Sequence, residues 1–424
     1  MNIDLNNRLT GKLDNQDQRL VRELVLGVSS RRIYLERVIS HYLHSELSQT
    51  KLELRIVLFL GAYQILFMPW IGQHAAVNES VELAKRQAGL RYGSKMINAI
   101  LRKLAIDKDL WLNHKAMNDL EQAAFFGFPE WIARMWQAHY GQKTALEIMD
   151  AMDRQRGVGI RINPRKAKRF DVQKALHEMD FKTRMMTYSP SGIYVEQAKE
   201  LSETEEYQTG KFSIQDESAM LVGDLIQPQA GDKILDLCAA PGGKSFHLAE
   251  KCPACTIISN DLYAGKIERM KEESQRLGLT NCSFSQHDAE EFFAEWEANF
   301  DYCVVDAPCS ALGLIGRKPE IKALRQPEDL DKLQKTQRAI LTHAARYLKV
   351  GGILVYATCT LNKKENEKQM AWFCQQFHFK PIPLSSPLPA ERIELANTPG
   401  MITLFPHIDQ TNGFFIAVLR KEKP

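Results

Sequence analysis

From residue 231 onward the chain alternates between two periodicities, and that alternation restricts its fold more than any other feature. KILDLC (233–238), TIISND (256–261), CSFSQHD (282–288), YCVVDAP (302–308) and GILVYATC (352–359) are short apolar runs. Between most of them lie helical patterns such as KIERMKEESQRLG and LDKLQKTQRAILTHAARYLK. Strands that alternate with helices predict a parallel sheet covered on both faces. FKPIPL (379–384) and GFFIAVLR (413–420) predict two further edge strands.

The first 145 residues carry a different signal. DQRLVRELVLGV (17–28) places Leu20, Val21, Leu24, Val25 and Val28 at helical spacing, and RRIYLERVISHYL and LELRIVLFLGAYQILF repeat the pattern. VNESVELAKRQA suggests a helix capped by Asn78, and strand signals are nearly absent. Between the two regions, short alternating runs such as GIRIN and GIYVE sit beside a basic stretch. Residues 154–184 hold ten basic and three acidic side chains. The division predicted is a helical domain over 1–140, a small α+β segment over 141–230 and an α/β domain over 231–424.

The basic stretch fits a polyanionic partner, nucleic acid being the commonest, as well as it fits a solvated face. The longest apolar run, IVLFLGAYQILFM (56–68), is too short to span a bilayer, and MNIDLNNRL has no apolar signal core. A reduced, cytoplasmic protein is therefore expected. Its eight cysteines all fall after residue 237 at irregular spacing. Cys252 and Cys255 form a CxxC with no second pair to complete a zinc site, so a chance loop pair and no metal are expected.

KILDLCAAPGGKSFHLAE (233–250) reads as strand, glycine turn and helix. Ligands of open α/β sheets bind at the carboxyl ends of strands. Cys238, Ala239, Ala240, Pro241, Gly242, Gly243 and Lys244 form such a turn, and the helix after it aims N–H groups at anything anionic. Asp261, Asp288 and Asp306 end the next three strands. Asp261 suits ribose hydroxyls and Asp288 an adenine amine. One such aspartate is often a helix cap; three beside a glycine turn favour a nucleoside ligand. Cys309 follows Asp306 behind a proline, and Cys359 ends the next strand.

LDLCAAPGGK, VVDAPCSALG, VYATCT, KPEIKALR and NGFFIAVLR, in that order, resemble the motifs of the bacterial RNA cytosine-5 methyltransferases over about 200 residues, from Gln215 to Leu419. LRIVLFLGAYQILF, QHAAVNESVELAK and INAILRKL resemble the NusB-like RNA-binding helical domain. The combination resembles the 16S rRNA cytosine-5 methyltransferases of the Fmu or Sun family. That resemblance implies a Rossmann-like domain with a seven-stranded, mostly parallel sheet, preceded by a NusB-like bundle. It implies S-adenosylmethionine as cofactor and an unpaired or flipped cytosine of 16S rRNA, position 967, as target. A monomer is expected. Relative to the family, the chain begins one helix late, and Thr360, Asn412 and Ala323 replace the usual Ser, Asp and Trp.

C5 of cytosine is a poor nucleophile until a thiolate adds to C6 and makes the ring an enamine. One thiol attacks; a second, placed opposite, helps remove the C5 proton or release the adduct. Asp306 suits N3 and the exocyclic amine. Lys244 suits the cofactor carboxylate or a thiol whose pKa must fall. From the residues alone Cys309 and Cys359 are level. The resemblance makes Cys359 the nucleophile and Cys309 the release group. Cys238, Cys282, Cys303 and Cys374 are read as structural thiols, Cys238 also touching the cofactor through its backbone. Arg161, Asn163 and Arg165 are candidate RNA contacts. Two other readings stay open: a catalytically inactive RNA-binding or antitermination-type factor, and a tRNA cytosine-5 methyltransferase.

Overall fold

The computed structural model describes residues 13–154, 157–196, 200–396 and 398–423. Expectations about the amino terminus, including the late start and the absent signal core, fall on residues 1–12, outside the described residues. The chain forms two compact units. One comprises residues 1–153 with Lys318–Leu324, the other residues 154–317 and 325–424.

The first unit is helical: α1 Asn15–Tyr42, α2 Leu52–Phe67, α3 Gln73–Arg86, α4 Ser94–Ile106, α5 Asp119–Phe125, α6 Glu130–Tyr140 and α7 Gln142–Arg154, with shorter turns between. Asp14 caps α1 by accepting from the Asp17 N–H at 2.8 Å. The buried face of α1 lies later than expected. Leu20 is 40 % exposed, whereas Tyr34, Leu35, Val38 and Ile39 are fully buried. Leu58 and Ala62 of α2 and Ile97, Leu101 and Leu104 of α4 are fully buried too, and the three helices pack on one another. Gly61 permits that closeness, since a Cβ there would stand 2.4 Å from a Leu101 methyl and 2.6 Å from Ser80 Oγ. Asn78 is not a cap: α3 begins five residues earlier, behind Gly72. Lys318–Leu324, far along the sequence, belongs to this unit. Lys322 is buried there, its ammonium donating to the Phe126 carbonyl at 2.7 Å and lying 4.2 Å from the Phe128 ring centre.

The second unit holds two sheets. β1 Val158–Ile162, β2 Thr183–Met185, β3 Gly192–Val195 and β4 Phe212–Ile214 make an antiparallel sheet in the order β2-β3-β1-β4. The larger sheet contains β5 Lys233–Asp236, β6 Thr256–Asn260, β7 Cys282–Ser285, β8 Phe300–Asp306, β9 Leu348–Thr358, β10 Phe379–Pro381, β11 Met401–Leu404 and β12 Phe414–Lys421. Its order is β10-β12-β9-β8-β5-β6-β7, with β11 on β12. β5 to β9 pair in parallel, and β10, β11 and β12 are antiparallel additions. The sheet thus has eight strands rather than seven. MITL (401–404), four residues between turns, is too short for its alternation to read as a strand in the sequence.

Helices α8 Gly243–Lys251, α9 Ala264–Leu277 and α10 Pro327–Tyr347 connect the strands, and an apolar core lies on each face of the sheet. Residues 154–230, which carry the small sheet, fall in the same compact unit as the large one. The buried Arg161 of β1 pairs with Glu250 of α8 through two hydrogen bonds of 2.9 and 3.0 Å, which fastens the small sheet to the large one. Cys252 and Cys255, expected as reduced loop thiols, are joined by a disulfide. The turn between them folds back, with the Cys255 N–H donating to the Cys252 carbonyl at 3.1 Å and the two Cα atoms 5.4 Å apart.

No helix among the described residues is long and apolar enough to cross a membrane. Nor do those residues include a group of three or more His, Cys, Asp or Glu side chains able to hold a metal ion.

Candidate active site

Chain order places the site. From β5 the chain steps outward through β6 and β7, then returns to build β8 and β9 on the other side of β5. The β5/β8 junction is the topological switch point, where the loops diverge and leave a crevice at the strands' carboxyl ends. A cavity of about 390 Å³ occupies it, within the usual range for a small-molecule site. Cys238, Asp261, Asp288, Asp306, Cys309 and Cys359 all line it. Five strand ends, widely separated in sequence, meet as the spacing predicted.

The glycine turn begins at β5 and opens α8. Gly242 is the N-cap residue at φ +99°, a left-handed conformation, and a Cβ on it would meet the Phe246 ring at 2.3 Å. Ala239 N–H donates to the Asn260 carbonyl at 2.8 Å and Ala240 N–H to Asp261 at 3.3 Å, which ties the turn to the end of β6. The Ala240–Pro241 peptide is cis. Gly243 passes its carbonyl to Arg161 at 2.7 Å. Asp261 also accepts from Tyr263 N–H at 3.2 Å and faces the Lys266 ammonium at 3.3 Å. Asp288 accepts from Glu290 N–H at 2.9 Å through one oxygen. These residues fit a nucleoside with a charged tail: a turn without side chains, a helix amino terminus and carboxylates to take hydroxyl and amine donors. Tyr263, Lys266 and His287 also line the cavity and were not anticipated. Their only sequence signal is position just before or after a strand-end aspartate.

On the other side stand the thiols. β8 and β9 are neighbours, and the turns after them bring Cys309 Sγ to 3.3 Å from Cys359 Sγ. The hydrogen bond to Cys359, then burial, push the Cys309 thiol well above its ordinary pKa. The two sulfurs are thus within hydrogen-bond reach of one another, and either can donate. Lys244, from the first turn of α8, pairs with Asp306. Burial opposes its charge, but the Asp306 carboxylate outweighs burial and raises its pKa, with Asp236 and the Cys359 sulfur adding to the same direction. Lys244 is thus held as a cation against Asp306. Beneath it Asp236 is fully buried, accepts from Ser245 Oγ at 2.6 Å, and is pushed up to about 7 chiefly by burial.

The RNA contacts expected in RINPR divide. Arg161 and Asn163 are 1 % and 0 % exposed. Arg161 is held by Glu250, Gln215 and the Gly243 carbonyl. Asn163 donates to the Gly210 and Leu277 carbonyls. Both are corrected to internal braces, because their donors are engaged inside the protein. Arg165 is exposed, as an RNA contact requires. Of the other thiols, Cys303 is fully buried on β8, and burial pushes Cys282 up to about 12.

Three family profiles cover these elements: "16S rRNA methyltransferase RsmB/F" over residues 224–420, "NusB family" over 1–106, and an RsmF/B-like ferredoxin-like domain over 128–202. A Bacillus subtilis protein named probable ribosomal RNA small subunit methyltransferase B is 32 % identical across 97 % of this chain and 92 % of its own length. The chain belongs to the RsmB/F methyltransferase family. A Synechocystis protein of the same name is 31 % identical over 96 % of this chain and 92 % of its own. The crystal structure of PH0851 shares the fold, with a TM-score of 0.77 at 24 % identity over 97 % of this chain and 92 % of its own. This RsmB/F member thus joins a NusB-type helical unit to a Rossmann-like sheet, as the resemblance implied.

Proposed function

We propose that this RsmB/F-family chain transfers a methyl group from S-adenosylmethionine to C5 of a cytosine in 16S rRNA, position 967, through a covalent Cys359–C6 adduct. The observation that carries the reading is the pair of thiols 3.3 Å apart on the cavity that Asp306, Cys238 and Ala240 also line. The names of its full-length relatives support ribosomal RNA as the substrate.

S-adenosylmethionine supplies an electrophilic methyl. The glycine turn, Asp261 and Asp288 are the residues suited to hold it. The Cys359 sulfur adds to C6. Asp306 receives N3 and the exocyclic amine, drawing charge from the ring as the bond forms. After C5 is methylated its proton leaves and the S–C6 bond breaks. Cys309, 3.3 Å from the attacking sulfur, is the group assigned to that step: as a thiolate it takes the C5 proton while Cys359 leaves with the S–C6 bonding pair, and help of this kind contributes roughly 10²–10⁴-fold. A stacked base hides C6, so the target cytosine must be unpaired or turned out of its helix. The exposed Arg165 is proposed to meet the RNA backbone.

Cys359→Ala is expected to abolish methyl transfer to small-subunit RNA while cofactor affinity stays within twofold. Cys309→Ala is expected to accumulate a protein–RNA adduct, read as a shifted band on a denaturing gel. An adduct with Cys359→Ala and none with Cys309→Ala reverses the roles. No incorporation by folded, cofactor-binding wild-type protein supports the inactive RNA-binding factor instead.

A further inference from the structure

Glu365 does not line the cavity, and nothing in the chemistry above calls on it. It is nonetheless fully buried, at a position where a carboxylate needs a strong reason to be. Its two oxygens accept four hydrogen bonds. One takes Ser310 Oγ at 2.6 Å and Asn362 Nδ2 at 3.0 Å; the other takes Ser310 N–H at 2.9 Å and Gln337 Nε2 at 3.0 Å. Ser310 directly follows Cys309. Its hydroxyl also meets the Thr360 hydroxyl at 2.7 Å, and Thr360 directly follows Cys359. Gln337, from α10, donates to the Pro308 carbonyl at 3.0 Å as well. Glu365 thus bonds the residue after one thiol directly and reaches the residue after the other through the Ser310 hydroxyl. All four of these polar partners and neighbours, Ser310, Asn362, Thr360 and Gln337, are buried.

We infer that Glu365 is a positioning residue for methyl transfer: it locks the turns after β8 and β9 in register and so sets the separation of the Cys309 and Cys359 sulfurs. The inference rests on the proposed roles of those thiols. The physical reason is donor count. A carboxylate accepts at both ends, and four donors converge on it. An amide accepts at one end only, so in Glu365→Gln one end faces donors whichever way the amide turns, and buried donors left without acceptors push the turns apart. Misplacement by about 1 Å is enough to cost about 10²-fold in rate. Thr360 serves this lock as well as the family's usual Ser would, because the hydroxyl is the part that bonds.

The test uses two readouts on the full chain. The first is oxidation by diamide, which takes up two thiol hydrogens as a Cys309–Cys359 disulfide forms. The bond is mapped by peptide mass spectrometry, and its rate depends on the sulfur separation without any RNA or cofactor. Glu365→Gln is expected to slow it at least about fivefold. The second is steady-state methylation, where kcat is expected to fall about 10- to 100-fold with KM for RNA and cofactor affinity within twofold. A purely structural role would lower the active fraction and leave the disulfide rate of the folded protein unchanged. Ser310→Ala removes one arm of the lock and is expected to show a smaller slowing; it decides the matter if Glu365→Gln does not fold. A wild-type disulfide rate in the folded variants overturns the inference. Slowed trapping, together with a wild-type protein that transfers no methyl, upholds the lock and overturns the functional reading alone.

Discussion

Asp236 takes no part in the proposed chemistry, but it sets a pH limit on the folded state. Its folded pKa is raised to about 7, chiefly by burial, against about 3.9 for a free aspartate. Between those values the folded protein binds a proton that the unfolded chain does not. The resulting stability is fully present below about pH 4 and is lost as the pH rises through about 7. From pH 5 to pH 8 the loss from this group is about 2 to 3 kcal/mol. Asp236→Asn, which carries no titrating proton, is expected to flatten that slope, measured as unfolding free energy against pH by chemical denaturation. An unchanged slope would locate the sensitivity elsewhere. At this scale the sequence was legible wherever chemistry sits at the end of a strand. Cys309, Cys359 and Asp306 each follow an apolar run, and a run ending in a turn must deliver its last side chains to the sheet's edge. That the two thiols meet was not legible, because it depends on a 3.3 Å approach across 50 residues of sequence.

Elements explain the main misreading. RINPRKAKR looks like a basic surface, and charge density does not say that β1 turns Arg161 inward. Its partner Glu250 lies 89 residues away, on the helix that follows the glycine turn. The pair fastens β1 to α8, and the third bond, to the Gly243 carbonyl, steadies the turn from behind. Arg161→Ala leaves Glu250 as an uncompensated buried charge, at a cost of about 3–5 kcal/mol. The expected result is a lower urea midpoint and weaker cofactor binding, followed by calorimetric titration. Arg165→Ala, two residues on and exposed, is expected to keep wild-type stability. Equal midpoints for the two variants would refute the brace. Glu365 escaped notice for the same reason: in KKENEKQ a glutamate reads as a solvated loop residue, and its partner Ser310 lies 55 residues earlier.

For the whole molecule, the change of periodicity near residue 231 identified the sheet, and the helical stripes before it identified the bundle. Membership of the units was less legible. Composition does not show two groupings: residues 154–230 fall in the sheet unit, and KPEIKAL in the helical one. A seven-residue return is invisible to composition, because it depends on partners such as Phe126 and Phe128 that lie some 190 residues earlier. A fragment spanning residues 154–424 keeps both sheets but strips residues 318–324 of the helices they pack with. Trypsin is expected to cut after Lys322, 8 % exposed in the full chain, at least about tenfold faster in that fragment, with the peptides followed by mass spectrometry. Equal rates would show that the segment is held without those helices.

The polypeptide therefore passes between its two units three times, near residues 153, 317 and 324. Recombination at one junction cannot exchange the helical unit for another, since the incoming bundle would receive a foreign heptapeptide from the catalytic half. Inheritance of the two halves is coupled: a change in the pocket that receives Lys322 has to be matched, in the same gene, some two hundred codons downstream.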